Sequence, residues 1–468
     1  MQNYFMFNWK PLAGLLIIVG IAAGVVLSRR PEMEKPNILV LVADDAGWRD
    51  FGCYGNEAIR TPNLDRLAQS GMLAENAFLT TPQCSPSRIS ILSGKYPHAT
   101  GAEDLHTPMP VDQIIVPAYL KKAGYFTGHL RKTHYGPNAE KQFEWYSENV
   151  DDFALFLKSC GDRPFFLWVG FTDPHRPYSS GAIAPPHDPA KVEVPPYLAD
   201  TPETRADLAL YYDEISRLDG DAGRIINALE QHGRRENTLI VFLSDNGAPF
   251  PRAKGTLYDA GVKTPVIFSW PAVMASGTRY KGLLSVIDLA PTFLELAGIK
   301  PPADVQGKSL GGVLKNPALE GRTHVFSERN WHNCDEHIRS VRTLRYKLIR
   351  NAYTELPHGS PADITGSPSW QSLKRLQKQG ALTLPQRLLF QVPRPVIELY
   401  DLENDPWELD NVAGAPENAG RVRELTEVLD RWIEETGDFP PTRRRRDDNT
   451  DRVSGVKFTA EIPPLREE

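Results

Sequence analysis

The sequence has 468 residues, of which 41% are hydrophobic and 24% are charged, and its formal net charge is −6. This length and composition allow a sizeable core in one large domain, or in one large and one small domain, whereas the acidic balance offers no basic surface for nucleic acid. The four cysteines, at positions 53, 84, 160 and 334, form neither a disulfide framework nor a zinc-binding pattern. The cysteine positions leave a single structural disulfide bond as an alternative. From the acidic balance, we expect no nucleic-acid partner.

The N-terminal segment differs from the rest of the chain. Leu12 to Leu27 is an uncharged apolar run of 16 residues, shorter than the ~20 residues of a typical membrane span but suited to the core of a signal peptide. No small-x-small cleavage site follows it. We therefore predict a signal or membrane-anchor segment at residues 1–34, either cleaved or retained as an anchor through residues 12–27. The protein is then expected to be exported, to the periplasm or the cell surface.

Apolar runs in the next part of the chain have the composition of buried parallel strands, because they are β-rich and do not alternate with polar residues. They are residues 37–43, 125–130, 165–171 and 238–244. Each run is followed by a polar cluster, DD at 44–45, KTH at 132–134, DPH at 173–175 and DNG at 245–247. Ligands of open α/β sheets lie beyond the carboxyl ends of the strands. The pattern predicts one site assembled from distant segments.

Helical patterns lie between these runs and give α/β alternation up to about residue 320. Thr61 is the expected N-cap of a helix that begins at Pro62 and stops at Gly71. A longer helical pattern begins near Arg205 and ends at Gly233. We therefore predict one large α/β domain over residues 35–320.

The pattern changes after residue 320. Residues 337–350 and 396–402 are predicted strands, residues 353–395 are predicted loops near the site, and residues 417–437 form an amphipathic helix. The apolar stripe of that helix consists of Val422, Leu425, Val428, Leu429, Trp432 and Ile433. We predict a smaller α+β subdomain over residues 321–440 and a solvated tail over residues 441–468.

One cysteine stands in the segment TTPQCSPSRISILSGKYP. Pro86 suits the first turn of a helix capped by Cys84 or Ser85 and stopped by Gly94. The amides of a helix N-terminus favour an anion, and Arg88 adds a cationic fork suited to oxyanions. The cysteine is then either a small buried hydrophobe or a thiolate nucleophile of lowered pKa. The Cys-x5-Arg cradle of thiolate phosphatases does not fit, because the spacing here is Cys-x3-Arg.

The stretch CSPSRISILSGK resembles the signature of type I sulfatases, in which Cys-x-Pro-Ser-Arg precedes Leu-(Ser/Thr)-Gly-(Arg/Lys). In that family the cysteine is oxidised after synthesis to formylglycine. The resemblance implies the same conversion of Cys84 by a formylglycine-generating maturation enzyme. It also implies an α/β fold, an alkaline-phosphatase-like sandwich with a large mixed, mostly parallel sheet, and a smaller C-terminal α+β subdomain with an antiparallel sheet.

The stretches NILVLVADDAGWRDFGCYGN and LSDNGAPF are similar to the metal-binding segments of the same family. The resemblance implies a divalent cation held by residue 84 together with four side chains, Asp44, Asp45, Asp245 and Asn246. Because these four side chains supply oxygen, they suit Ca²⁺, or alternatively Mg²⁺, better than zinc.

Further matches imply catalytic roles for charged side chains. Arg88, Lys132 and Lys254 would stabilise charge on the transferring sulfate. The segment RKTHYG departs from the family in one respect, because Arg131 stands where most relatives have glycine.

The resemblance also implies a covalent mechanism. The hydrate of formylglycine 84 would attack sulfur, with Asp245 as the base, and His175 would protonate the leaving group. His134 would take a proton from the remaining hydroxyl, so that the aldehyde re-forms and sulfate leaves.

Within the family, DRPFFLWVGFTDPHRPY, SDNGAPFP and ELYDLENDPWELDNVA are similar to the heparan N-sulfatase (sulfamidase) branch. The implied reaction is hydrolysis of sulfate from N-sulfoglucosamine of the heparan or heparin type. Lys254 in AKGTLY stands where that branch has arginine, and lysine is common among O-sulfatases. Alternatives are therefore an O-sulfatase of another polysaccharide, a phosphodiesterase or phosphonate hydrolase of the same superfamily, and a non-catalytic glycan-binding relic. The candidate sugar contacts are His106, Trp331, His332 and His337.

Overall fold

The computed structural model describes residues 1–2, 34–442, 445 and 447, and its described residues from Lys35 onward belong to one compact unit. The predicted signal or anchor run, residues 12–27, lies outside the described residues, as does most of the predicted tail. Among the residues that are described, no helix combines the length and the apolar character that crossing a membrane requires.

An eight-stranded sheet forms the centre of the molecule, in the order β4-β3-β5-β1-β6-β7-β2-β8. Its strands are β1 (Asn37–Ala43), β2 (Met72–Phe78), β3 (Phe126–Arg131), β4 (Trp145–Ser147), β5 (Phe165–Gly170), β6 (Thr238–Ser244), β7 (Val266–Ser269) and β8 (Thr278–Ser285). Strand β7 runs antiparallel to its neighbours β6 and β2, and the other pairs are parallel. The prediction of a large mixed, mostly parallel sheet is confirmed.

The four predicted strands are β3, β5, β1 and β6, which are consecutive parallel neighbours in this sheet. Their continuous apolar runs follow from burial on both faces. In β1, for example, Val40 and Val42 pack in one hydrophobic cluster and Leu39 and Leu41 pack in another on the opposite face. The carboxyl ends of the four strands therefore meet at one edge, as the polar clusters after them predict.

Helices cover both faces of the sheet. They are α1 (Pro62–Gln69), α2 (Cys84–Ser93), α3 (Val116–Lys122), α4 (Pro137–Glu140), α5 (Phe153–Cys160), α6 (Pro202–Gln231), α7 (Asp259–Val262), α8 (Leu289–Leu296) and α9 (Gly311–Lys315). Apolar side chains of α2, α3 and α8 lie in the cluster with Val40, and those of α1, α5 and α6 lie in the cluster with Leu39. The result is a three-layer sandwich.

Helix α1 differs from its prediction at both ends. Helix α1 begins at Pro62 as predicted, but the Thr61 side chain does not cap it, because its hydroxyl accepts from the Gly52 amide and donates to Asp65 instead. The helix ends at Gln69 rather than at Gly71. Gly71 is required for packing, since a Cβ there would lie 2.0 Å from the Phe268 carbonyl oxygen.

A four-stranded antiparallel sheet follows, in the order β12-β11-β10-β9. It consists of β9 (Val325–Arg329), β10 (Ile338–Arg342), β11 (Tyr346–Asn351) and β12 (Ile397–Asp401), and the later helices are α10 (Ala362–Thr365), α11 (Pro368–Gln379), α12 (Leu384–Arg387) and α13 (Ala419–Thr436). Leu425, Leu429 and Trp432 of α13 pack on this sheet through its predicted stripe. The prediction of a second, antiparallel sheet is confirmed.

The prediction of loops for residues 353–395 is wrong for α11, a helix of 12 residues. Ser367 accepts a hydrogen bond from the Trp370 amide and Pro368 occupies the first turn, so the sequence GSPSW carried a helix-start signal.

Candidate active site

Helix α2 carries Cys84 at its first position, and the N-cap is Gln83 rather than the predicted Cys84 or Ser85. The Gln83 side chain donates from Nε2 to the Trp331 carbonyl at 2.8 Å, which fixes the start of the helix against the segment after β9. Gly94 ends the helix in a left-handed conformation, as predicted. Every residue of α2 is buried, so Cys84 is held rigidly.

An acidic cluster surrounds Cys84. One candidate ligand atom from each of Asp44, Asp45, Cys84 and Asp245 lies within 4.8 Å of the others, and all four residues are buried. The carboxylates converge because β1 and β6 are adjacent and in register up to Ala43 and Ser244. The Cys84 Sγ lies 3.6 Å from Asp45 Oδ1.

The backbone of this cluster is specialised. Asp45 has φ 73°, in the left-handed region that aspartate tolerates better than most residues, and its amide donates to Asp245 Oδ1 at 3.2 Å. Gly247 admits no side chain, because a Cβ there would lie 2.0 Å from the Ala260 carbonyl oxygen. The two acidic turns are therefore locked to each other.

The cluster has the properties of a site for a hard divalent cation. Asp44 Oδ1 and Asn246 Oδ1 are buried, yet neither accepts a hydrogen bond from any described residue. Burial of Asp44, with Asp245 and Asp45 beside it, raises its pKa to about 6 despite the nearby Lys132. Crowded carboxylates and orphaned oxygens of this kind fit an ion that prefers oxygen ligands.

Cationic side chains contact each carboxylate of the cluster. Arg88 Nε donates to Asp245 Oδ2 at 2.7 Å, and its Nη2 lies 3.7 Å from Asp44 Oδ1. Lys132 Nζ donates to Asp44 Oδ2, and Lys254 Nζ donates to Asp45 Oδ2 at 2.7 Å. The three predicted cations therefore meet at the predicted ligands.

The cysteine is a neutral thiol in this environment. Burial raises the pKa of the Cys84 thiol well above its usual value, and the carboxylates of Asp45 and Asp245 raise it further, against the opposing effect of Lys254. The interpretation as a thiolate of lowered pKa is therefore wrong. The other sequence-based interpretation, a buried hydrophobe, does not account for an acidic cluster around the sulfur.

Two predicted histidines lie close to the residues of the cluster. His175 Nε2 is 3.8 Å from Asp45 Oδ2, and its Nδ1 is 2.6 Å from the Arg176 carbonyl oxygen. Burial lowers the pKa of His134 to about 2, with Lys132 and Arg88 adding to the effect, so this ring is neutral.

The structure brings two of the four candidate sugar contacts to this region. The His106 ring lies 4.9 Å from the His134 ring. His332 is buried, and its burial, together with the nearby Lys254, lowers the pKa of His332 to about 3. Trp331 is only 2% exposed and lies under the Arg445 guanidinium.

The fourth candidate, His337, lines a separate cavity of about 410 Å³. That cavity is also lined by His98, Arg339 and Asp438. None of these three side chains belongs to the acidic cluster around Cys84.

The sequence interpretation missed Asp363, which lies in α10. Its Oδ2 accepts from Lys254 Nζ at 2.8 Å and lies 3.9 Å from His175 Nε2. No motif marks this residue, and the only signal was its place in the segment predicted to lie near the site.

A buried acidic cluster with three cations, at the carboxyl edge of a mostly parallel sheet, defines an enzyme of the α/β class with a candidate cation site. The sulfatase family model matches residues 36–155 and 144–299, and the model for the C-terminal part of N-sulphoglucosamine sulphohydrolase matches residues 252–368. The chain belongs to the sulfatase family, whose members hydrolyse sulfate esters and sulfamates. The family prediction is confirmed.

Individual relatives agree with this assignment. An ulvan-active sulfatase of Formosa agariphila is 32% identical over 86% of this chain and 76% of its own length. The N-sulphoglucosamine sulphohydrolase of Homo sapiens is 32% identical over 91% of this chain and 93% of its own. A solved protein in complex with its substrate D-glucosamine-2-N,6-O-disulfate has a TM-score of 0.66 and 21% identity, covering 86% of this chain and 99% of its own. That likeness concerns the fold, and the predicted alkaline-phosphatase-like architecture is confirmed.

Proposed function

We propose that this protein removes sulfate from a sulfated glycan, with N-sulfoglucosamine of the heparan or heparin type as the first candidate substrate. The observation that carries the proposal is the position of Cys84, at the start of α2 inside the acidic cluster and beside three cations. Family membership gives the reaction class. The match of residues 252–368 to the C-terminal part of N-sulphoglucosamine sulphohydrolase favours the amino sugar.

Conversion of Cys84 to formylglycine by a maturation enzyme is part of the proposal. The neutral thiol supports it, since a protonated thiol is a poor nucleophile, whereas an aldehyde hydrate carries two hydroxyl groups at the same point. Residue 84 would hold Ca²⁺, or alternatively Mg²⁺, together with four oxygen-bearing side chains, Asp44, Asp45, Asp245 and Asn246. That cation would polarise the sulfate oxygens and lower the pKa of a nearby hydroxyl.

In the first proposed step, one hydroxyl of formylglycine 84 gives its proton to Asp245 and bonds to sulfur, while the bond from sulfur to the sugar breaks. Burial disfavours ionisation of Asp245, but Arg88 and Lys132 hold its pKa below the usual value, so the carboxylate is available as a base. Arg88, Lys132 and Lys254 then stabilise charge on the transferring group.

His175 is the proposed donor of a proton to the leaving oxygen or nitrogen. Its Nε2 faces the carboxylates of Asp45 and Asp363, which orient the ring, and its side chain is 33% exposed, where a sugar can reach it. In the second step the remaining hydroxyl gives its proton to His134, the aldehyde re-forms, and sulfate leaves. The Nδ1 atom of His134 is buried and forms no hydrogen bond with any described residue, which leaves this nitrogen open to that proton.

The test is sulfate release by protein produced together with the maturation enzyme. Saccharides with glucosamine N-sulfate are compared with O-sulfated saccharides that lack N-sulfate. Release from N-sulfate alone supports the first candidate, whereas release only from O-sulfate changes the proposal to an O-sulfatase, which Lys254 favours. No release from either, with a peptide mass proving that Cys84 is converted, contradicts the proposed function.

Cys84→Ala should abolish sulfate release and leave the fold intact. Loss of the sulfur from this buried position should cost only about 1 kcal/mol of unfolding free energy, so folded protein remains to be assayed. Cys160→Ala is the matched control, because Cys160 is also buried but lies in α5, outside the acidic cluster. Sulfate release that survives in Cys84→Ala contradicts the formylglycine mechanism.

The organisation of the chain is proposed on sequence patterns. The apolar run at residues 12–27 supports export to the periplasm or the cell surface, with or without retention as an anchor. A catalytic domain over residues 35–320 and a smaller subdomain over 321–440 agree with the change from the eight-stranded to the four-stranded sheet.

A further inference from the structure

Asp363 lies between the buried part of the site and solvent. Lys254, its hydrogen-bond partner, is only 2% exposed, whereas the Asp363 side chain is 20% exposed and its other neighbour His175 is 33% exposed. The acidic cluster around Cys84 does not include Asp363. This carboxylate therefore lies on the partly exposed side of the site, beside His175.

The position of Asp363 is fixed by its surroundings. The Ala362 amide donates to Asn333 Oδ1 at 3.3 Å, and Pro361 packs on Gly255, where a Cβ would lie 2.9 Å from the proline ring. Gly255 follows Lys254 directly, so the segment that carries Asp363 and the segment that carries Lys254 are packed together. The Asp363 carboxylate is therefore held in a fixed position beside Lys254.

Asp363 is charged, and only one of its two carboxylate oxygens accepts a hydrogen bond from a described residue. Burial opposes its ionisation, but Lys254, with His332 and His175, lowers its pKa to about 2. Oδ2 accepts from Lys254, whereas Oδ1 accepts no hydrogen bond from any described residue. A partly exposed carboxylate oxygen beside the leaving-group histidine accepts a hydroxyl donor well and repels a second anion.

We propose that Asp363 is a specificity-determining residue, whose Oδ1 accepts a hydrogen bond from the sugar hydroxyl next to the scissile sulfate. Its charge rejects a sugar that carries a second sulfate at that neighbouring position. The inference rests on the proposed function and adds an order of reactions to it. A sulfatase that removes the neighbouring sulfate must act before this protein does.

The test compares binding of two sugars to variants that cannot turn them over. In the Cys84→Ala background, glucosamine with only an N-sulfate and glucosamine with both N- and 3-O-sulfate are titrated by calorimetry. We expect the monosulfated sugar to bind at least about tenfold more tightly. Adding Asp363→Asn should reduce this preference to about threefold or less, chiefly through tighter binding of the disulfated sugar.

The matched control is Asp430→Asn, which removes an ion-paired carboxylate on α13 and should leave the preference unchanged. An unchanged preference in the Asp363→Asn variant overturns the inference, as does a change that Asp430→Asn reproduces. The proposed function fails separately, when protein with converted Cys84 releases no sulfate from any saccharide. If sulfate is released but Asp363→Asn does not alter the discrimination, only the inference fails.

Discussion

Charge pairing around Cys84 is arranged residue by residue. Asp44 contacts Lys132, Asp45 contacts Lys254, and Asp245 contacts Arg88, so the three carboxylates are balanced by three side-chain cations. A divalent cation added to this neutral set would leave a net positive charge. A sulfate group and Asp363 each supply one negative charge, which together would restore neutrality. The arrangement therefore suits a substrate with a single sulfate at the reacting position.

Asp50 is a carboxyl group outside this set whose ionisation opposes folding. It lines a cavity of about 130 Å³ and accepts from the Tyr211 hydroxyl at 2.8 Å, and burial raises its pKa to about 7 from 3.8. Because the folded-state pKa lies above the unfolded value, the carboxylate lowers stability above about pH 7, and this cost disappears as the pH falls towards 4. Asp50→Asn should therefore increase the free energy of unfolding by about 2 kcal/mol at about pH 8, and by little at about pH 4.

Urea denaturation of both proteins across this pH range measures the effect. The difference between them should shrink steadily between about pH 7 and about pH 4. Asp410→Asn, at an exposed position, is the control and should change the free energy by less than about 0.5 kcal/mol. A difference independent of pH contradicts a role for the Asp50 charge.

Among the elements, those with strong local signals were predictable from the sequence. Strands β1, β5 and β6 are continuous apolar runs because both of their faces are covered, and no helix pattern competes with such runs. Strand β9 was not predicted, although four of its five residues are buried, because three of the buried residues are the polar Ser327, Glu328 and Arg329, whose burial hydropathy does not detect. Their burial depends on partners in distant segments, such as His98 for Glu328.

The loop after β3 is held in place by Arg131, the residue that departs from the family pattern. It adopts φ 60°, where glycine would be unstrained, and donates to Asp221 of α6 at 3.0 Å and to Thr172 at 3.2 Å. These contacts join the loop of Lys132 and the loop of His175 to one helix. Arg131 therefore lacks the conformational freedom of glycine at this position, but its side-chain hydrogen bonds attach the loop to α6.

Arg131→Ala should lower kcat/KM for sulfate release about tenfold, because the two loops lose their common attachment. The free energy of unfolding should change by less than about 1 kcal/mol, since the ion pair is partly exposed. Arg224→Ala is the matched control, as Arg224 also pairs with Asp221 but lies on α6 itself, and its other partner, Asp151, belongs to neither the loop of Lys132 nor the loop of His175. Equal losses of activity in the two variants contradict the proposed role of Arg131 in attaching these loops to α6.

At the scale of the whole molecule, the sequence predicted the centre of the site but not its rim. Asp44, Lys132, His175 and Asp245 follow four adjacent strands, so their convergence follows from the parallel sheet. Asp363 and His337 lie in segments whose positions depend on how the antiparallel sheet packs, and no local pattern encodes that packing. The sequence therefore could not show that Asp363 reaches Lys254 while His337 faces another cavity.

Cation binding should stabilise the whole chain, because the candidate ligands come from the turns after β1 and β6 and from the start of α2, which are far apart in sequence. Ca²⁺ at about 100 times its dissociation constant should increase the free energy of unfolding by about 2.7 kcal/mol and raise the melting temperature after prior chelation. Mg²⁺ should act more weakly if the site prefers a larger ion with more oxygen ligands.

Asp44→Asn tests whether the effect arises at this cluster, since it removes one charge while keeping a side chain of similar shape. It should abolish most of the Ca²⁺-dependent shift in melting temperature, whereas Asp430→Asn, which removes an exposed carboxylate on α13, should retain it. A shift that is absent in the unaltered protein, or that persists in Asp44→Asn, contradicts the cation site. Because melting is measured without substrate, this outcome separates the ability of the fold to hold an ion from the ability to release sulfate.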